Sequence, residues 1–255
     1  MKQLAHTEEH AGHTINIFFD EDADNPRTDW EQFATMVCFH NRYNLGDEHS
    51  FSEPSEFEKD LAMEVDTSVE DRWYYWDDHP SLNWEQIEKR QKDLIQKALD
   101  KHVVMLPVYL MDHGGITMST TPFGCRWDSG QVGWIYVTRE VALKEFGGKI
   151  FSKQLKAKVL NLLEGEVKTY NQYLTGDVYG YTVEGEHCGD SCWDSCWGFF
   201  GDDFSQMIDE AKRSIDFNVE RFFDTKKKLL IDYNLMKKEG HHGKNVDLRE
   251  IALPI

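Results

Sequence analysis

VVMLPVYLMDHGGITMSTT, residues 103–121, decides what kind of fold this chain can adopt. Val103 to Met111 is apolar almost without interruption, and its β-branched content suits a strand. Asp112-His113-Gly114-Gly115 supplies turn residues, and Ile116 to Thr121 then alternates apolar and polar. A strand, a short turn and a returning strand make an antiparallel hairpin. Pro107 has no amide hydrogen to donate, so its place in the first strand requires a bulge or an edge.

The same pattern recurs to either side. Thr14 to Phe19 predicts a strand, followed by an acidic loop from Asp20 to Asp29. Ala34 to Asn44 predicts a second strand, with Ala34, Met36, Cys38, His40 and Arg42 on one face. That face turns from apolar to polar, as happens where a strand leaves a core at a cleft. Asp128-Ser129-Gly130 is a turn before the strand Val132 to Val137, and Thr138 is placed to cap a short helix ending at Gly147-Gly148. Asp177 to Val183 predicts a further strand.

Three amphipathic helices complete the reading. Asn83, with Glu85 and Gln86, offers partial capping-box chemistry to a stripe of Trp84, Ile87, Leu94, Ile95, Ala98 and Leu99. A second stripe runs through Leu155, Val159, Leu162, Leu163, Val167, Tyr170 and Leu174 and is stopped by Gly176. A third, from Phe204 to about Lys238, passes through Met207, Ile208, Ala211, Ile215, Val219, Phe222, Leu229 and Tyr233. Strands in runs, with few strand–helix–strand alternations, predict an α+β fold: a mainly antiparallel sheet packed by three long amphipathic helices. The expected organisation is a single domain, with residues 1–203 as the core and 204–255 as a C-terminal helix and tail packed on it.

At 255 residues, with 40% hydrophobic and 13% aromatic side chains, the chain can bury a real core. Its longest apolar run, 103–111, falls far short of a membrane span. The N-terminus shows no apolar signal segment, and five cysteines without one read as reduced thiols, so a cytoplasmic location is expected. The formal charge is −18 and is unevenly spread. Residues 1–80 hold 20 Asp or Glu against 5 Lys or Arg, whereas the remaining residues hold 26 against 23. Such a field disfavours nucleic acid and anionic membrane, and it favours basic protein surfaces. A solvated acidic face that aids solubility accounts for it equally simply.

Several motifs invite chemistry and then withhold it. In HCGDSCWDSCWGFF (187–200), Cys188, Cys192 and Cys196 stand four apart, with His187 as a conceivable fourth zinc ligand. The glycines and Asp-Ser pairs disfavour a helix, however, and on a strand cysteines four apart lie about 13 Å from one another. A strand with Trp193, Trp197 and Phe199 on one face and the free thiols opposite is the favoured reading. Asp20, Asp22, Asp24 and Glu31 match the spacing of a calcium loop, but Asn25-Pro26 occupies the turn that glycine should make, and a strand precedes it. No Walker A, Gly-x-Gly-x-x-Gly, His-Glu-x-x-His or Gly-x-Ser-x-Gly motif occurs. His241-His242 reads as a helix-stop loop.

The strand ends carry the remaining polar residues: His40, Arg42, Tyr43 and Asp47; Asp112 and His113; Asp128 and Ser129; Asp177 and Tyr179. If these ends converge, they bring a guanidinium, two imidazoles and several carboxylates to one pocket, enough for ligand binding or acid–base work. Ordinary turn chemistry explains Asp-Ser-Gly and Asp-His-Gly-Gly one by one.

HNRYNLGDE (40–48), PVYLMDHGGITMST (107–120), WDSGQVGWIYVT (127–138), YNQYLTGDVYGY (170–181) and DSCWGFFG (194–201) together resemble a family of proteins encoded by bacteriophages, prophages and mobile elements. The resemblance runs from about Asn16 to Gly201, and the second Asp-Ser-Cys-Trp, at 190–193, departs from it. What it implies is a phage accessory protein acting in the bacterial cytoplasm, with no catalytic residue to carry over. The expected function is that of a binder that inhibits or redirects a host factor, such as a defence system. It would do so either by acidic-surface mimicry or by sequestering a small nucleotide ligand, with Arg42 on phosphate and tyrosines stacking the base. The alternative is a metal- or His-dependent hydrolase of a nucleotide or phosphoester, with His40 or His113 as acid–base and Asp112, Asp128 or Asp177 orienting it or holding a metal. A virion or scaffold role has no positive feature. The partners expected are therefore a host protein or a small nucleotide, and a second copy of the chain is possible; direct nucleic-acid or membrane contact is not expected. The sequence names no cofactor and leaves open whether one is used.

Overall fold

A computed structural model describes residues 2–77, 79–185 and 194–238. In chain order the elements are β1 (Leu4–His10), β2 (His13–Phe19), β3 (Thr35–Cys38), α1 (Pro54–Val65), α2 (Ser68–Asp77), α3 (Trp84–His102), β4 (Val103–Asp112), β5 (Ile116–Ser119), β6 (Ser129–Thr138), α4 (Arg139–Phe146), α5 (Lys153–Thr175), β7 (Val178–Gly185), β8 (Asp194–Phe200) and α6 (Ser205–Lys238). The fold is α+β, with two four-stranded antiparallel sheets. The chain forms two compact units, one from Met1–Glu21 with Val178–Ile255 and the other from Asp22–Asp177.

The first unit carries the sheet β1-β2-β7-β8. β1 and β2 are joined by the two-residue turn Ala11-Gly12, both at positive φ (49° and 76°), which matches the twist of the hairpin. Ile15 and Ile17 of β2 are wholly buried against Tyr181 and Val183 and against Met207, Ala211 and Ile215 of α6. Of the apolar stripe expected along α6, Met207, Ala211 and Ile215 are buried, Phe222 is half-buried and Leu229 is exposed.

β8 corrects one reading of the cysteine segment. Tyr179 pairs with Phe199 and Tyr181 with Cys196, so Trp197 and Gly198 together oppose Gly180 in a bulge, with Gly198 at φ +84°. The extra residue breaks the alternation. Cys196 and Phe199 therefore both pack into the core, rather than facing opposite ways. The Trp197 ring lies over Gly180, where a Cβ would come within 2.2 Å of it. His187, Cys188 and Cys192, and His241-His242, lie outside the described residues.

The second unit is built on the sheet β3-β6-β4-β5, covered on both faces. Met36, Val104, Val108, Ile135 and Val137 pack against Val159, Leu163, Val167 and Tyr170 of α5. Val37 and Val103, from alternate positions, pack against Phe57, Leu61 and Ala62 of α1 and Leu94, Ala98 and Leu99 of α3. β6 approaches β3 so closely that a Cβ on Gly133 would lie 1.9 Å from the Val37 carbonyl oxygen. β5 pairs only with 109–112, so the outer side of β4 is open at Pro107, and a bulge follows at Val108/Tyr109.

Caps set the helix ends. Asn83 and Gln86 complete a reciprocal capping box, Thr138 accepts from the Val141 amide, and Gly147 and Gly176 end α4 and α5 in the left-handed conformation. Two stripe residues differ from expectation. Trp84, at the first position of α3, is 69% exposed, and Leu162 is also exposed. The second strand is shorter than its apolar run suggests: it stops at Cys38, because the His40 imidazole Nδ1 accepts from the Arg42 and Tyr43 amides and turns the chain.

A buried arginine joins the loops of this unit to α5. The side chain of Arg27 is 1% exposed. Its Nε and Nη2 donate to the two Asp47 carboxylate oxygens at 2.7 and 2.6 Å, its Nη1 donates to Glu166 at 2.8 Å, and its Nη2 also donates to the Ala34 carbonyl at 2.8 Å. Asp47 in turn accepts from the Met36 amide, and Glu166 accepts from the Phe33 and Ala34 amides. Burial alone would lower the guanidinium pKa, but the hydrogen bonds and charge of Asp47 and Glu166 outweigh it and hold the group firmly charged.

Breaking a buried ion pair from one side leaves uncompensated charge, at a cost of about 3–5 kcal/mol. Arg27→Ala is therefore expected to lower unfolding stability by about that amount in urea titration. Arg27→Lys should recover only part of it, because an ammonium cannot grip a carboxylate in the bidentate manner.

Candidate functional site

Three turns of the second unit meet around one cleft of about 370 Å3. The turn after β3 contributes His40 and Arg42, the β4–β5 turn follows Asp112, and the loop before β6 contributes Trp127 and Asp128, with Ser129 at its end. Leu110 and Val132 add apolar lining. The Asp112 amide donates to the Asp128 carbonyl at 2.8 Å and ties the second turn to the third.

Each polar group has a partner, and most of these partners are weakly held. Arg42 Nη1 sits 3.1 Å from Asp112, with the arginine side chain 68% exposed. Arg42 Nη2 donates to the Tyr43 hydroxyl at 3.0 Å, and that hydroxyl donates to Asp112 at 3.3 Å. His40 stacks on the Tyr43 ring at 5.0 Å, and because its Nδ1 accepts two amides, its proton lies on Nε2. His113 Nδ1 lies 3.0 Å from Asp128 Oδ2, in an exposed pair. Exposed pairs of this kind are each worth about 1 kcal/mol or less, so a ligand can displace them cheaply.

The most exposed tryptophan among the described residues stands at the rim: Trp127 is 96% exposed. Nothing in the sequence reading singled it out, although a signal was there. Gly124-Cys125-Arg126-Trp127-Asp128-Ser129-Gly130 is a turn-rich stretch with no apolar periodicity, so a tryptophan inside it has no core to enter. Cys125, whose Sγ lies 3.8 Å from Asp128, is exposed beside it.

The other expected site residues divide. Ser129 lines the cleft, but its hydroxyl donates to the Cys125 carbonyl and locks the turn. Asp47 is held by Arg27 and does not line the cleft. Asp177 accepts from Thr175 at 2.9 Å, just beyond the C-terminus of α5. Tyr179 belongs to the first unit, buried among Phe19 and Phe204. Among the described residues no three His, Cys, Asp or Glu side chains gather so as to hold a metal ion, and no helix is long and apolar enough to cross a membrane.

Comparison with protein-family models, curated proteins and solved structures finds no match.

The two described thiols of this unit have opposite surroundings. Cys38 is buried and burial pushes its thiol up to about 12, whereas Cys125 is open to solvent. In the native protein at pH 8, iodoacetamide is expected to label Cys125 within minutes and Cys38 only after denaturation, as read by peptide mass mapping.

Proposed function

We propose that this chain is a binding protein that sequesters a small nucleotide in the cleft between Arg42 and Trp127. The observation that carries the reading is the exposed indole of Trp127 beside a guanidinium and two carboxylates. A simple anion would gain nothing from the ring and would be repelled by Asp112 and Asp128. A simple cation would be repelled by Arg42. A nucleotide supplies all three complements: a flat base for Trp127, a phosphate for Arg42 and the His40 Nε2–H, and hydroxyl or amino donors for the carboxylates. The Arg42–Asp112 pair is exposed enough to exchange for a phosphate at small cost. The phage-accessory setting implied by the sequence resemblance, with capture of a host nucleotide signal as the purpose, is part of this proposal.

A second reading has one specific observation in its favour. His113 is oriented by Asp128 through Nδ1, which leaves Nε2 free for proton transfer in a hydrolase.

Calorimetric titration with a panel of ribonucleoside phosphates and cyclic nucleotides tests both. Binding by at least one member is expected, weakened at least about 10-fold by Trp127→Ala and by a similar factor by Arg42→Ala. No binding by any member, or an unchanged constant in Trp127→Ala, would sink the proposal. Turnover that His113→Ala abolishes while binding persists would move the assignment to the hydrolase.

A further inference from the structure

The helix α2 buries one residue, Val69, yet its sequence contains the aromatic run Trp73-Tyr74-Tyr75-Trp76. Tyr74 and Tyr75 are 57% and 60% exposed, and Trp84, at the start of α3, is also exposed. A run of four aromatic residues on a helix normally belongs to a core; here at least two of them lie on the surface of a unit whose cores are already filled from α1, α3 and α5.

Two features of this surface say what fits it. The first is that its indoles already hold cations of the same chain: the Arg90 guanidinium lies 4.3 Å from the Trp76 ring centroid, and the Lys59 ammonium lies 5.1 Å from that of Trp73. The second is the charge around it. Residues 67–85 contain five Asp or Glu and a single basic residue, Arg72. Glu70, Asp71, Asp77 and Glu85 are all exposed. Acidic side chains beside open aromatic faces complement an arginine-bearing segment: the guanidinium planes stack on the rings, and their N–H groups reach the carboxylates.

We propose that the α2 surface, centred on Tyr74 and Tyr75, is a docking site for an arginine-rich basic segment of a partner protein. It is separate from the nucleotide cleft and shares no residue with it. Stacking on the tyrosines supplies selectivity for arginine over lysine, and the surrounding carboxylates supply long-range attraction that salt weakens.

Fluorescence anisotropy with a labelled octa-arginine peptide, set beside octa-lysine, tests this at low and at physiological salt. The full chain is expected to bind the arginine peptide at least about fivefold more tightly than the lysine peptide. Tyr74→Ser with Tyr75→Ser should weaken the arginine peptide about 10-fold without changing the melting temperature, whereas Tyr74→Phe with Tyr75→Phe should retain it. Equal affinity for the two peptides, or unchanged binding in the double serine variant, reduces the contact to net charge alone and overturns the proposal. Absence of binding at low salt overturns it as well.

Discussion

The second unit depends on one buried cation. Arg27 lies in a loop without regular structure, and that loop must hold β3, the shortest strand beside β5 and the outer edge of its sheet. A guanidinium with its side chain 1% exposed is stable only if nearly all its N–H groups are matched by charge, and Asp47 and Glu166 provide that match. The same two carboxylates then accept from the Met36, Phe33 and Ala34 amides. One ion cluster therefore satisfies the edge of β3, fixes the loop 22–34 and anchors both to α5. The isolated bridge from Val37 to Gly46, with Gly46 at φ +73°, brings Asp47 within reach.

That rigidity ends just short of the cleft. Beyond Phe39, whose amide still donates to the Val132 carbonyl at 2.6 Å, the turn is held by hydrogen bonds of 3.2–3.3 Å to the His40 ring, and Arg42 and His113 of the Arg42–Asp112 and His113–Asp128 pairs stand in solvent. The contrast in energy is large. Breaking the Arg27 cluster costs several kcal/mol, whereas either exposed pair is worth about 1 kcal/mol or less. Such an arrangement suits a binding site: rigid supports carry polar groups whose own partners are easily exchanged for those of a ligand.

The local chemistry that ends elements was legible in the sequence. The Asn83 and Thr138 caps, the Gly147 and Gly176 stops, the Asp112–Gly115 turn and the predicament of Pro107 all act within a few residues, and the structure repeats them. What acts across the chain was not legible. The bulge at Trp197-Gly198 is set by the packing of a ring over Gly180, which no period-two reading contains. α1 and α2 went unread because their apolar positions are sparse: α1 buries Phe57, Leu61 and Ala62 among acidic residues, and α2 buries Val69 alone. Of the polar strand-end residues, the cleft gathers those that close adjacent turns of one sheet. Asp47 was drawn away by Arg27, whose partners are 20 and 139 residues distant and leave no local trace.

The net charge of −18 argues against an anionic ligand only if the whole molecule acts at a distance. At physiological ionic strength, exposed charges farther apart than about 8 Å are largely screened from each other. What a phosphate meets in the cleft is therefore Arg42 and the His40 Nε2–H against Asp112 and Asp128, not the acidity of the whole chain. The α2 surface is likewise read from its own charges: Glu70, Asp71, Asp77 and Glu85 stand in the same short stretch as the exposed tyrosines, against Arg72 and the Arg90 and Lys59 groups held on Trp76 and Trp73. Local composition, not total charge, decides what each surface can hold, and the exposed aromatic residues mark where to look.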